Sequence, residues 1–221
     1  MIARNRAGLT ALAALVASLS LTVTACGGGS KPPAEKIAGV DNAPSASASP
    51  SPNPSAGDGA GRPKVTLPAD VKNVFEGTPT GDPKKDEVLA DDQRRIDAVS
   101  EAILKGDPNA PALRVYEKDE VLLGTAKWVQ SFVDAGMSFT GTTRYFDRRV
   151  NLVDDKTATL VYCADETKAV NTDRKTGQTH AVQSKGKEHY VLYNYRLVKD
   201  AGGVWQSVKG FSERGAASCV R

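Results

Sequence analysis

The spacing of the apolar residues changes at Met137, and that change limits what this chain can fold into more than any other feature. Upstream, over residues 86–105, Val88, Leu89, Ile96, Val99 and Ile103 recur at helical spacing with charged residues between them, which predicts an amphipathic helix. Gly106-Asp107-Pro108 stops it. A second helix fits 118–135, where Val121, Leu122, Thr125, Trp128, Val129 and Phe132 share a face and Gly136 stands ready to cap the end. Downstream the pattern shortens to that of strands. Residues 140–153 read as a long strand that turns at Asp154-Asp155 into a second, 157–164. Residues 189–199 and 204–211 form another pair around Asp200-Ala201-Gly202-Gly203. The polar stretch 165–186 between the pairs reads as a long loop. Helices first and strands after mean an α+β fold, with N-terminal helices packed on a curved antiparallel sheet.

Upstream of about residue 65 the composition forbids a core. Residues 27–65 are rich in Gly, Pro, Ser and Ala, and almost free of large apolar side chains, so nothing there offsets the entropy of ordering. A spacer of this kind reaches between about 35 Å as a coil and roughly 120 Å fully extended. It suits a tether across a cell wall and equally a simple stalk, and Ser and Thr beside Pro permit O-glycosylation. The single α+β domain is therefore assigned to 66–221, roughly 150 residues, a usual size for one compact core.

The first 25 residues carry an address. Arg4 and Arg6 precede an uncharged run of Ala, Leu, Val, Ser and Thr over about 16 residues, short of the roughly 20 that span a bilayer. Val23-Thr24-Ala25-Cys26 closes it and resembles the bacterial lipobox, which implies a signal peptide over 1–25 and a diacylglycerol thioether on Cys26. Two acyl chains bury enough CH2 groups to hold a soluble domain at a membrane. The expected location is the extracytoplasmic face of the bacterial cell membrane, with the membrane itself a partner through the anchor. The competing readings are an ordinary secretory signal in which Cys26 is incidental, or an uncleaved anchor.

Charge adds little. The formal net charge is +3, and removal of Arg4 and Arg6 with the signal leaves 27 basic against 26 acidic side chains. Such a balance gives no electrostatic case for nucleic acid. Arg144, Arg148, Arg149, Arg174, Lys175, Lys185 and Lys187 suggest a basic patch, but Asp147, Asp154, Asp155, Asp165 and Asp173 lie among them, and a solvated face is the plainer reading. Two histidines and three cysteines leave no set of residues with metal-ligand spacing, so neither metal nor cofactor is expected. Outside the membrane, with Cys26 acylated, Cys163 and Cys219 remain to form a disulfide, the alternative being two free thiols. The bridge would close a loop worth roughly 4 kcal/mol in the chain-entropy account.

Ala158-Thr159-Leu160-Val161-Tyr162-Cys163-Ala164-Asp165, then Gly203-Val204-Trp205-Gln206-Ser207-Val208, and the closing Cys219 carry a family likeness over roughly residues 86–221. The domain resembles the nuclear transport factor 2-like (SnoaL-like) superfamily, and more closely a group of actinobacterial lipoproteins built on it. The resemblance implies a cone, with helices on the concave side of a strongly bent sheet, often around a pocket. Members include isomerases, dehydratases and epoxide hydrolases as well as non-catalytic binding and assembly modules, so it implies a cavity and no reaction.

Candidate acids and bases are Asp134, Asp147, Asp165, His189, Tyr145 and Tyr195, and no two form a recognisable constellation. The expected pocket lining is Trp128, Phe132, Phe139, Tyr145, Leu160, Tyr193 and Trp205, mainly aromatic and aliphatic. The leading expectation is a non-catalytic domain that binds a small apolar ligand or an envelope protein. An isomerase, dehydratase or hydrolase in the same cone, and a passive surface protein, are the alternatives.

Overall fold

The computed structural model describes residues 61–180 and 186–221. The signal segment, Cys26 and nearly all of the expected tether lie outside the described residues. Among the described residues no helix is long and apolar enough to cross a membrane.

Helix α1, Pro83–Lys105, starts earlier than its apolar stripe predicts because Asp82 caps it, accepting from the backbone N–H of Lys84 at 3.0 Å, with Pro83 in the first turn. Gly106 ends it in the left-handed region at φ 66°. The guanidinium of Arg174 then donates to the carbonyls of Leu104 and Ile103 at the helix end, at 2.7 and 2.6 Å, and to that of Met137 at 2.9 Å, tying the end of α1 to the start of β2. A short helix absent from the sequence reading, α2 (Pro111–Tyr116), leads into α3, Asp119–Asp134, close to its expected place.

The sheet is built from β1 (Val71–Phe75), β2 (Met137–Leu152), β3 (Thr157–Asp173), β4 (Thr179–His180), β5 (Tyr190–Lys199) and β6 (Trp205–Arg214). Its order is β1-β2-β3-β5-β6, with β4 paired to the end of β3. All pairs are antiparallel except β1 on β2, so the sheet is mixed at that edge. The expected loop 165–186 is largely strand. β3 runs on to Asp173, whose carboxylate accepts from the N–H groups of Lys175 and Thr176 and turns the chain back into β4. The polar composition misled because Thr167 and Lys168 face solvent while the backbone still pairs with the start of β2.

Three bulges bend this sheet into a cone, and each switches which side chains face inward. Glu166 and Thr167 of β3 oppose Thr143 alone, Asp147 and Arg148 of β2 oppose Tyr162 alone, and Val208 of β6 has no counterpart on β5. Asp147 takes φ 51° at its bulge. The inward series on β3 therefore passes from Leu160 and Tyr162 to Ala169 and Asn171. On β6 it passes from Trp205 to Gly210, Ser212 and Arg214. Where β2 crosses β3, a Cβ on Gly141 would lie 2.1 Å from the Lys168 carbonyl oxygen, so only glycine fits.

Three apolar clusters hold the layers. One joins the helices through Ala102, Leu113, Tyr116 and Val129. A second packs α1 on the sheet through Val88, Ile96, Leu160, Leu197 and Trp205. The third lies on the convex face, where Phe146, Cys163, Ala216 and Cys219 meet. The Cys163–Cys219 disulfide fastens the C-terminal tail there, with Cα atoms 5.5 Å apart.

Candidate functional site

Helices α1 and α3 do not fill the cone. Between them and the concave face of β2, β3, β5 and β6 lies a cavity of about 720 Å³. The helix side is mainly apolar, with Ile96, Val99 and Ile103 from α1 and Val121, Trp128 and Phe132 from α3, joined by Arg95, Ser100, Glu120 and Thr125. The sheet side is a rack of phenol rings. Tyr162 stacks on Tyr193 with centroids 5.1 Å apart, Tyr195 lies 6.1 Å beyond Tyr193, and Tyr145 meets Tyr162 edge-on at 6.0 Å. Gly210 makes this possible, because a Cβ there would stand 2.3 Å from Cδ1 of Tyr195.

Behind the rings sits Arg95, 5% exposed. Its guanidinium donates to Asp92 Oδ1 at 3.0 and 3.1 Å, to Glu117 Oε1 at 3.1 Å and to the Tyr162 hydroxyl at 2.7 Å. Its flat face lies 4.4 Å over the Tyr195 ring. Asp92 also accepts from Arg148 at 3.1 Å, which closes a buried set of two cations and two anions. A second buried carboxylate, Asp91, accepts from Arg62, from Arg94 at 2.8 Å and from the Trp205 backbone N–H at 3.0 Å. Arg62, on residues assigned to the tether, thus reaches the domain.

Burial pushes the phenols of Tyr145 and Tyr162 well above their ordinary pKa, and raises Tyr193 and Tyr195 as well. All four are neutral near pH 7. The Tyr145 and Tyr193 rings both line the cavity. Burial also raises the Glu117 carboxyl, more than Arg95 lowers it. At the mouth stand Glu120, Glu188, His189 and Glu166, the last paired with Arg214 at 2.7 Å.

Of the expected lining, Trp128, Phe132, Phe139, Tyr145 and Tyr193 come together on the cavity wall. Leu160 and Trp205 do not reach it. Both lie in the core beneath, packed with Val88 and Ile96 of α1. Among the acid–base candidates, Tyr145, Tyr195 and His189 line the cavity and the three aspartates do not. Asp134 is exposed and accepts from Gln130, Asp147 pairs with Arg221 on the convex side, and Asp165 is held by Arg144 and Thr167. The supposed basic patch is dispersed: Arg148 is buried on Asp92, Arg174 caps α1, and Arg144 pairs with Glu76 and Asp165.

Sequence reasoning misses Arg95, Tyr162 and Glu166 as site residues. Arg95 carries a signal, since it falls one helical period from Asp92 and beside Ile96 on the apolar stripe of α1. Glu166 carries one too, since it keeps the alternation of Leu160 and Tyr162, but it falls in the stretch read as a loop. Among the described residues no group of three or more His, Cys, Asp or Glu side chains is placed to hold a metal.

No protein-family model matches the sequence, and no curated protein matches it. Among solved structures, the chain is similar to a ketosteroid isomerase-like protein from Erwinia carotovora atroseptica, at 17% identity and TM-score 0.38 over 57% of this chain and 95% of that one. It is similar to Aln2 from a Streptomyces species, at 14% identity and TM-score 0.41 over 62% and 94%. It is also similar to the intermembrane space region of the chloroplast protein ARC6, at 14% identity and TM-score 0.34 over 62% and 99%. Likenesses this distant assign no activity to the chain.

Proposed function

We propose that this chain is a lipid-anchored surface protein whose extracytoplasmic domain holds a small, mostly apolar molecule in the cone and does no chemistry on it. The observation that carries the reading is the cavity itself: about 720 Å³, a helix wall led by aliphatic and aromatic side chains, and a sheet wall of tyrosine rings. Small-molecule sites span about 300–1,000 Å³ and combine such walls with a few orienting polar groups. Arg95, Asp92, Glu117 and Arg148 neutralise one another behind the rings, so the deep charges set the shape of the pocket and leave the phenols to orient the ligand.

Gly124 offers a direct test. It lies mid-helix in α3 on the cavity wall, and a Cβ there would meet nothing within 4 Å. Gly124→Phe fills the mouth while replacing a poor helix former. Wild-type protein is expected to enhance the fluorescence of N-phenyl-naphthylamine, and the variant to bind it about tenfold more weakly, a difference of ~1.4 kcal/mol. No enhancement in wild type, or equal enhancement in both, sinks the reading. The anchor is tested separately: Cys26→Ala should abolish labelling by radioactive fatty acid.

One observation favours the catalytic alternative, an isomerase, dehydratase or hydrolase. The Glu166 carboxylate is close enough to the Tyr193 phenol to help raise its pKa, which sets a candidate base beside a donor on the cavity wall. Turnover lost in Glu166→Gln with probe binding intact would decide for it.

A further inference from the structure

β6 is the last strand of the sheet, and among the described residues no strand pairs with its outer side; Glu117 bridges Ser207 near its start and Glu120 of α3 reaches Gly210. From Lys209 to the end of the strand every residue is exposed. The N–H of Gly210 points away from β5 and donates to Glu120 Oε1 of α3 at 3.3 Å. That single bond sets the parity of the edge. The backbone groups of Gly210 and Ser212 face outward, and those of Lys209, Phe211 and Glu213 face β5.

An open edge of this kind is a template for another strand, and proteins usually blunt it with charge. Here the charges are placed so that they attract under a two-fold axis. If two β6 strands pair antiparallel about Phe211, Lys209 of each copy stands opposite Glu213 of the other, Gly210 opposite Ser212, and Phe211 opposite Phe211. The parity agrees: Gly210 and Ser212 become the hydrogen-bonded pairs, and Phe211 falls in the non-hydrogen-bonded pair, where side chains approach most closely. Phe211 is 56% exposed, among the largest apolar exposures of the domain. Leu123, one turn along α3 from the Glu120 that guards the edge, is 64% exposed. A register in which Lys met Lys and Glu met Glu would repel, so the residues select one alignment and one partner.

We infer that the open edge of β6 is a self-pairing surface, and that two copies of this chain join their sheets into one through residues 209–213. The interface is isologous, so it closes at two copies and does not propagate. Forming it moves the Gly210 N–H from Glu120 to a carbonyl of the second copy.

The test uses charge-swap variants of the full-length chain in a mild non-ionic detergent, with mass read by sedimentation velocity. Wild type is expected to be dimeric. Lys209→Glu alone sets Glu against Glu at both symmetry-related positions, and Glu213→Lys alone sets Lys against Lys, so each weakens self-association on the order of tenfold or more. The combined K209E/E213K chain restores the dimer. An equimolar mixture of the two single variants forms a heterodimer, although neither pairs with itself. Both side chains are exposed, so an intact Cys163–Cys219 bridge and an unchanged far-UV spectrum check that the fold survives. Phe211→Cys gives an independent readout, because opposed residues in that register lie about 4.5 Å apart and form an intermolecular disulfide under mild oxidation. A monomeric wild type overturns the inference. So does a dimer that survives both single swaps, since its contact must then lie elsewhere.

Discussion

On the convex face of the sheet, Phe146, Cys163, Tyr190 and Leu192 are covered by the C-terminal tail, which one covalent bond fastens. On the concave face nothing covalent acts, and four ionised side chains are buried together beneath a row of tyrosines. The difference follows from the cavity. Atoms that border empty space lose contacts on that side, so close packing cannot by itself fix the rings of the concave wall. Directional contacts with Arg95 can, and they hold the Tyr162 hydroxyl and the Tyr195 ring from below. The convex face has no opening to preserve, and a small apolar cluster with a bridge across it suffices.

Cutting the ion network should therefore do the most harm. Arg95→Met keeps much of the volume but leaves Glu117 without its cation and Asp92 with only Arg148. Removing one partner of a buried set typically destabilises by about 3–5 kcal/mol. We expect a fall of that size in urea unfolding, with loss of the near-ultraviolet signal of the tyrosine rack and of probe binding. A loss below about 1 kcal/mol would show that the network does not hold the concave wall.

Removing the bridge should cost somewhat less and act differently. The bond spans 56 residues, and the double change of Cys163 and Cys219 to alanine is expected to lower stability by about 2–4 kcal/mol, largely through the unfolded chain. Probe affinity in the cavity should stay as it was, since the two sulfurs lie on the other face. If affinity falls along with stability, the faces are coupled and the contrast between them fails.

A third test separates the faces by pH. Burial holds the Glu117 carboxyl above the ordinary range, so the folded protein takes up that proton before the unfolded chain does. Stability from this group is greatest below the ordinary carboxyl pKa and falls as pH rises through the raised folded value. Asp97, raised by its own burial, contributes with the same sign. Subtracting the profile of Glu117→Gln from that of wild type isolates the Glu117 share, which should slope downward with rising pH just above the ordinary carboxyl range. Superimposable profiles would mean that Glu117 titrates as an exposed acid does.

The two faces also differ in how far the sequence reveals them. A pair of cysteines is legible because sulfur chemistry needs little context: once the expected acylation sets Cys26 aside, Cys163 and Cys219 leave one pairing, and they are bonded. The α+β layout and the two long helices are legible from periodicity. What escapes depends on bulges and on buried charge. Each bulge reverses the inward series, so Arg148 on β2, Ala169 and Asn171 on β3, and Gly210 and Ser212 on β6 end on faces that strict alternation does not give them. Asp92 and Arg95 read as the solvent side of α1, since a charge is ordinarily exposed, although their positions lie on its buried stripe. β1 is a short parallel edge strand, and its pairing with Gly141–Tyr145 has no signature within its own five residues.

The smallest effect is expected where charge acts on the convex face. Arg221, the last residue, lies 3.8 Å over the Phe146 ring and pairs with Glu76 at 3.2 Å and Asp147 at 3.3 Å. These are the same kinds of contact that surround Arg95, yet the Arg221 side chain is 48% exposed and its carboxylate partners 34% and 47%. Water screens such pairs, and ordering a long side chain offsets part of what they gain, so each is worth at most about 1 kcal/mol. The nearby disulfide already confines the tail, which reduces what a further tie can add. Arg221→Ala should shift the urea midpoint only slightly, and the shift should vanish in strong salt, whereas the effect of Arg95→Met should persist there. A loss above about 2 kcal/mol in Arg221→Ala would mean that ion pairing holds the convex face too, and that the bridge alone does not explain how the tail stays in place.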